Sequence, residues 1–196
     1  MKNQKLIWSL ESVILLSIAS ILLLLTPRVV LSEQLNNADV SASFNQVADA
    51  KAQMLKAEAE AIDAYFSARN MPIYGLGLKM AEEADKNNLD WRLLPAIAIR
   101  ESTGGKNDCD KATHNFFGWG SCKISFDSDQ GAIETVALNL GGNNPNTAKH
   151  YAGKTTRQIL RAYNPPHVVR RYAEQVLSIM KAIGPEDLGV PVSTSS

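Results

Sequence analysis

One carboxyl group stands in a sequence setting suited to proton transfer. Glu101 follows Ala96-Ile97-Ala98-Ile99-Arg100 and precedes Ser102-Thr103-Gly104-Gly105. The apolar run predicts a buried helix, and the two glycines predict its end. A carboxyl group placed there can rest its stem on the core while its oxygens face a cleft. Partial desolvation disfavours the carboxylate, so the proton stays on and can be donated. Breaking a glycosidic bond needs such a donor, because the leaving oxygen must be protonated as the bond breaks. The plainer alternative is a surface glutamate near a helix end, paired with Arg100 or Lys106.

Two further segments favour the first reading. Asn115-Phe116-Phe117-Gly118-Trp119-Gly120-Ser121 lies just downstream. Sugars stack their apolar faces on aromatic rings, exposed amides supply hydrogen bonds, and glycines let the backbone approach a ligand closely. The alternative there is a hydrophobic turn. Ala162-Tyr163-Asn164-Pro165-Pro166 brings a second aromatic–amide pair, or simply a helix-ending turn.

In this order the segments resemble the lysozyme-like superfamily of bacterial cell-wall hydrolases, over roughly Ile62 to Ile183. Leu93-Leu94-Pro95-Ala96-Ile97-Ala98-Ile99-Arg100-Glu101-Ser102 resembles the helix of lytic transglycosylases and glucosaminidases whose Glu-Ser pair carries the catalytic acid. Asn115-Phe116-Phe117-Gly118-Trp119 is similar to the Asn-x-Phe-Gly segment of glucosaminidases. Tyr163-Asn164 resembles the Tyr-Asn segment of transglycosylases, and Tyr172-Ala173 the start of a glucosaminidase helix. The resemblance implies Glu101 as general acid and later general base. It implies a glycan cleft lined by Ser102, Asn115, Phe117, Gly118, Trp119, Tyr163 and Asn164. The implied substrate is peptidoglycan glycan, with no metal and no cofactor. Two departures stand out. The Gly-Leu-Met-Gln segment of transglycosylases is replaced by Phe117-Gly118-Trp119-Gly120. The lobe that carries a second acid in many glucosaminidases would be very short here, leaving Asp108, Asp110, Asp127 and Asp129 as candidates in no distinctive motif.

The N-terminus bears on the compartment. Leu6 to Leu25 is mostly apolar, with Glu11 its one charge and Lys2 and Lys5 ahead of it. Twenty residues at about 1.5 Å each span roughly 30 Å, the hydrocarbon thickness of a bilayer. The preceding lysines favour an inside N-terminus and an exported remainder. A cleaved signal peptide would export the same remainder, but Thr26-Pro27-Arg28 supplies no small-residue cleavage pattern there. Outside the cytoplasm an even pair of cysteines is more often a disulfide than a metal site, so Cys109 and Cys122 are expected to pair. Cys109, His114 and Cys122 as zinc ligands, or a Cys–His hydrolase, are the weaker alternatives; their spacing fits no compact zinc pattern.

Helices must carry these residues. Phe44 to Asn70 has no Gly or Pro and predicts a long helix, with a seam Ala48, Ala52, Leu55, Ala59, Ile62, Phe66. A stalk whose C-terminal half packs on the following domain is preferred to dimerisation. Further helices are expected from about Leu76 to Asn87-Asn88, and from Trp91 to about Ser102 behind an Asp90 cap. Pro95 is tolerable in the latter only if that helix starts late, placing it in the first turn. Ser128 caps another helix, Thr155 and Gln158 form a capping box, and the last helix is expected from about Pro166 to Ile183.

The expected fold is therefore mainly α, of the α+β lysozyme-like kind, with a short Gly- and aromatic-rich hairpin or loop. The division is an anchor over 1–30, a linker and helical stalk over 31–61, a catalytic domain over 62–184 and a frayed tail over 185–196. The bilayer is met only through the N-terminal helix. Formal net charge is zero, which marks no nucleic-acid partner for the whole chain, although residues 71–184 carry 14 Lys and Arg against 11 Asp and Glu. The rival function is a non-catalytic wall-binding or scaffold module on the same fold.

Overall fold

The computed structural model describes residues 42–188. The chain divides into two units, with the boundary between Ala50 and Lys51. Of the first, residues 42–50 are described, and they are helical. The expected membrane span, Leu6 to Leu25, lies outside the described residues, as does most of the linker. Among the described residues no helix is long and apolar enough to cross a membrane.

The second unit is built from helices alone among its described residues; the segment expected as a short hairpin or loop forms no strand. Helix α1 covers 42–67, and its seam behaves unevenly. Ala48 and Ala52 are exposed, whereas Ala59, Ile62 and Phe66 are buried in the core. Lys51 pairs with Asp85 at 2.7 Å, tying the middle of α1 to the helix that follows. Helix α2 spans Gly77–Lys86 and starts on α1. The Asp63 carboxylate accepts from the Gly75 and Gly77 N–H groups at 2.9 and 3.1 Å. These are backbone donors left open at the start of α2, satisfied here by another helix.

Helix α3, Leu93–Ser102, is the hub. Leu93, Leu94, Ala96, Ile97 and Ala98 are fully buried, and α3 packs on α2 and most extensively on α8. It starts two residues later than expected. Asp90 is not its N-cap; the Asp90 carboxylate instead accepts from the Arg92 backbone N–H at 3.0 Å and from its guanidinium at 2.6 and 2.9 Å. The late start puts Pro95 in the first turn, where its missing N–H costs nothing. The stop is as the glycines suggested. Thr103 is left-handed, and Gly104 follows at φ +67° with its N–H donating to the Ala98 carbonyl. A Cβ on Gly104 would lie 2.6 Å from Met71 Sδ, so glycine is required by packing as well as by torsion.

Four more elements complete the unit. They are α4 (Trp119–Cys122), α5 (Asp129–Leu140), α6 (Ala148–Tyr151) and α7 (Thr156–Tyr163). Ser128 caps α5, accepting from the Gly131 N–H at 3.0 Å. Thr155 and Gln158 form the reciprocal capping box of α7. Helix α8 spans Tyr172–Ile183, six residues later than expected. The Pro165 carbonyl accepts from the Val168 and Val169 N–H groups, and Arg171 at φ +66° breaks the helical path. Val168 is therefore exposed instead of lying on the buried stripe of Tyr172, Val176, Met180 and Ile183. Beyond α8 the chain is docked as far as it is described. The Gly184 carbonyl accepts from Arg92, the Glu186 carbonyl from the Trp91 indole, and Leu188 packs on the core.

Candidate active site

Glu101 is the penultimate residue of α3, half-buried where the apolar run ends. Neither expected surface partner takes it. Arg100 Nε donates to Gln175 Oε1 at 2.8 Å, and Lys106 Nζ donates to the Arg69 carbonyl at 2.7 Å. Glu101 instead accepts from a tyrosine: the Tyr172 hydroxyl donates to Oε1 at 2.6 Å. Burial raises the Glu101 carboxyl above its ordinary range, and the Tyr172 hydrogen bond and nearby Arg100 offset only part of that rise. Burial, Tyr163 and Glu101 itself hold the Tyr172 hydroxyl far above its usual value, so it remains a neutral donor. With Oε1 accepting from Tyr172, Oε2 is the oxygen left to carry the proton when the acid is neutral. That oxygen faces Gly118, where an added Cβ would lie 3.2 Å from it. Gly118 sits at φ +65°, so torsion and close approach both favour glycine.

The segment from Asn115 to Cys122 forms the facing wall, held from inside. Asn115 is fully buried; its amide donates to the Trp119 and Ile124 carbonyls at 2.9 and 2.7 Å and accepts from the Trp119 N–H at 2.8 Å. Phe116 and Phe117 are core residues with ring centroids 4.5 Å apart. Gly120, Ser121 and Cys122 follow in left-handed conformations, and Cys122 is disulfide-bonded to Cys109 across a sequence separation of 13. The pairing removes both thiols from the zinc and Cys–His alternatives, and His114 Nδ1 is 2.7 Å from Asp129 Oδ1 instead.

Aromatic rings run from this wall to the acid. Trp119 lies 6.5 Å from Tyr151 and 5.7 Å from Tyr163, and Tyr163 stacks on Tyr172 at 5.8 Å. The Tyr163 hydroxyl donates to the Phe117 carbonyl, tying α7 to the loop. The result is a cleft of about 650 Å³ lined by Trp119, Gly120, Ser121, Tyr151, Tyr163 and Asn164, together with Glu101, Gly118, Pro165 and Val168. It is larger than the hollows of about 430 Å³ between α1 and α2 and of about 410 Å³ beside Glu58. Glu101 is the one carboxyl group among the residues lining the cleft. Asp108, Asp110, Asp127 and Asp129 are not among them; Asp108 accepts from the Cys109 N–H, and Asp129 faces His114.

The structure thus brings Glu101, Gly118, Trp119, Tyr163 and Asn164 to one cleft. It moves three expected lining residues inside. Ser102 is buried, donating to the Ala98 carbonyl at 3.0 Å and accepting from the Gly105 N–H at 2.8 Å; it closes the helix end. Asn115 and Phe117 likewise shape the loop and offer no side chain to the cleft. Two residues the sequence did not assign to the site belong to it. Tyr172 reads in the sequence as part of the Tyr172-Ala173 start of a glucosaminidase-like helix, and Tyr151 has no motif around it. No family model, curated protein or solved structure matches this chain.

Proposed function

We propose that the domain is a lysozyme-like glycosidase that cleaves peptidoglycan glycan strands, with Glu101 as general acid and then general base. The observation that carries this reading is a single, half-buried carboxyl group lining an aromatic-walled cleft, with Tyr172 fixing one oxygen and the other facing Gly118. Trp119, Tyr151 and Tyr163 offer faces on which sugar rings would stack. In the first step Glu101 Oε2–H would pass its proton to the leaving glycosidic oxygen as the C1–O bond breaks, leaving an oxocarbenium-like centre. The resulting carboxylate, held by the Tyr172 hydroxyl, would then take a proton from the acceptor as that acceptor adds to C1. A two-carboxylate mechanism needs a partner about 5 Å away, or roughly 6.5–9.5 Å away. No second Asp or Glu lines this cleft. The acceptor is therefore water, as in glucosaminidases, or a hydroxyl of the substrate's own muramic acid, as in transglycosylases.

An extracytoplasmic setting, with the Leu6–Leu25 segment as membrane anchor, accompanies the proposal. The Cys109–Cys122 disulfide supports it, because such bonds persist in oxidising compartments. Digestion of purified sacculi followed by mass spectrometry tests the reading. Soluble fragments ending in a reducing sugar identify hydrolysis, and anhydro ends identify intramolecular transfer. Binding to sacculi without release of either product would favour the rival wall-binding module.

A further inference from the structure

The distribution of charge around the cleft is lopsided. From Thr135 to Ala173 there is no Asp or Glu, while Lys149, Lys154, Arg157, Arg161, Arg170 and Arg171 supply six positive charges. This stretch runs from the second half of α5 through α6 and α7 to the start of α8, and it contributes Tyr151, Tyr163, Asn164, Pro165 and Val168 to the cleft. All six basic residues are exposed. Arg157 pairs with Glu174 at 2.7 Å, whereas the other five have no ion-pair partner among the described residues. The facing wall is different. Between Lys106 and Asp129 three lysines meet four aspartates, so that side is close to neutral.

Position matters more here than side-chain direction. Lys149 precedes Tyr151 by two residues, and Arg170 follows Val168 by two. Two residues span at most roughly 7 Å of backbone, comparable with the screening length of about 8 Å at physiological salt. These two positions therefore adjoin cleft-lining residues along the chain. Five exposed cations without an ion-pair partner among the described residues, in one acid-free stretch, also make an uneven charge distribution in a chain of zero net charge.

We propose that the α6–α8 side of the cleft is an anion-binding surface that holds the carboxylate or phosphate groups of a polyanionic cell-wall polymer alongside the cleft. The proposal deepens the glycosidase reading and rests on it for the identity of the polymer. Aromatic faces would take the sugars, and the basic side would take the acidic substituents that project from them.

The test uses the full chain carrying Glu101→Gln, so that nothing is digested. Its binding to poly-glutamate and to polyphosphate is measured at about 50 and about 300 mM salt. A triple variant, Lys149→Gln/Lys154→Gln/Arg170→Gln, and a charge-keeping one, Lys149→Arg/Lys154→Arg/Arg170→Lys, are compared on the same background. We expect the neutralised variant to bind about tenfold more weakly at low salt, the charge-keeping variant to match the parent, and high salt to erase the difference. Salt acts on the unaltered surface, so it serves as readout even if the triple variant misfolds. Equal binding by the neutralised, folded variant, or binding indifferent to salt, overturns the proposal. Tighter binding of duplex DNA than of either polyanion overturns the assignment to a wall polymer. Sacculi stripped of phosphate polymers separate the two sources: retained binding assigns the surface to carboxylates, and lost binding assigns it to phosphates. Charge-dependent binding without sacculus cleavage by the unaltered chain would remove the glycosidase reading and leave the anion surface standing. Cleavage without charge-dependent binding would do the reverse.

Discussion

Tyr172→Phe isolates what the tyrosine hydroxyl does for Glu101. The ring is 1 % exposed and stacks on Tyr163, and phenylalanine keeps both contacts. Only the O–H that donates to Glu101 Oε1 at 2.6 Å is lost. As Glu101 gives up its proton, negative charge grows on the carboxyl group, and this donor stabilises it. A hydrogen bond to a charged group is worth about 1.5–3 kcal/mol, and each 1.36 kcal/mol of barrier is tenfold in rate. We therefore predict a kcat about 10- to 100-fold lower, with the circular dichroism unchanged. The pH dependence carries a second signature. The hydrogen bond lowers the Glu101 pKa, so its loss lets burial raise that pKa further. The alkaline limb of the pH–rate profile, where the acid loses its proton, should move to higher pH. Stability follows the same sign. A carboxyl group whose folded pKa is raised contributes stability that is fully present below its ordinary pKa and lost as pH rises through the folded value. The variant should thus lose more stability relative to the parent at pH 9 than at pH 5. The assay is turbidity loss of a sacculus suspension across pH, beside thermal melts at both pH values. A kcat within twofold of the parent, or an alkaline limb that stays put or moves down, refutes the role given to Tyr172.

Three other perturbations have defined outcomes. Gly118→Ala combines a left-handed residue, costing roughly 1–2 kcal/mol, with a methyl group pressed toward Glu101 Oε2; cleavage should fall far more than the melting temperature, and proportionate losses would contradict the contact. Burial, with Asp85 and Asp90 nearby, pushes the Glu58 carboxyl up to about 7. Its neutral form is the one the fold prefers, so Glu58→Gln should stabilise by on the order of 2 kcal/mol at pH 8 and by little below pH 4.5, and a pH-independent increment in denaturant titrations would refute this. Reducing Cys109–Cys122 removes a loop constraint of about 3 kcal/mol and should lower activity before the helical signal melts, because Cys122 borders the cleft; simultaneous loss of both signals would count against a local effect.

Local chemistry was legible in the sequence wherever its partner lay within a few residues. The Ser128 cap, the Thr155/Gln158 box and the stop at Thr103-Gly104-Gly105 are of this kind, since short-range backbone groups decide them. Pro95 was legible too, as a demand for a late helix start. What failed depended on distant partners. Nothing near Arg171 announces a left-handed residue, so α8 was extended back to Pro166. Residue type told that Asn115 and Phe117 belong to the cleft region but not which way they face; the carbonyls of Trp119 and Ile124 hold the Asn115 amide inside the loop. Tyr172 meets Glu101 across 71 residues of sequence, and no periodicity encodes that contact.

The central claim is that Glu101 supplies the proton. Glu101→Gln keeps the shape of the side chain and can still accept from Tyr172, but it has no acidic proton to give. Release of muropeptide fragments from sacculi should fall at least about 10²-fold, with melting behaviour close to that of the parent, while Asp108→Asn, Asp110→Asn, Asp127→Asn and Asp129→Asn each stay within about tenfold, near 1.4 kcal/mol of barrier. Near-full release by folded Glu101→Gln protein, or an equal loss from any one of the four aspartate variants with its fold intact, would contradict the account.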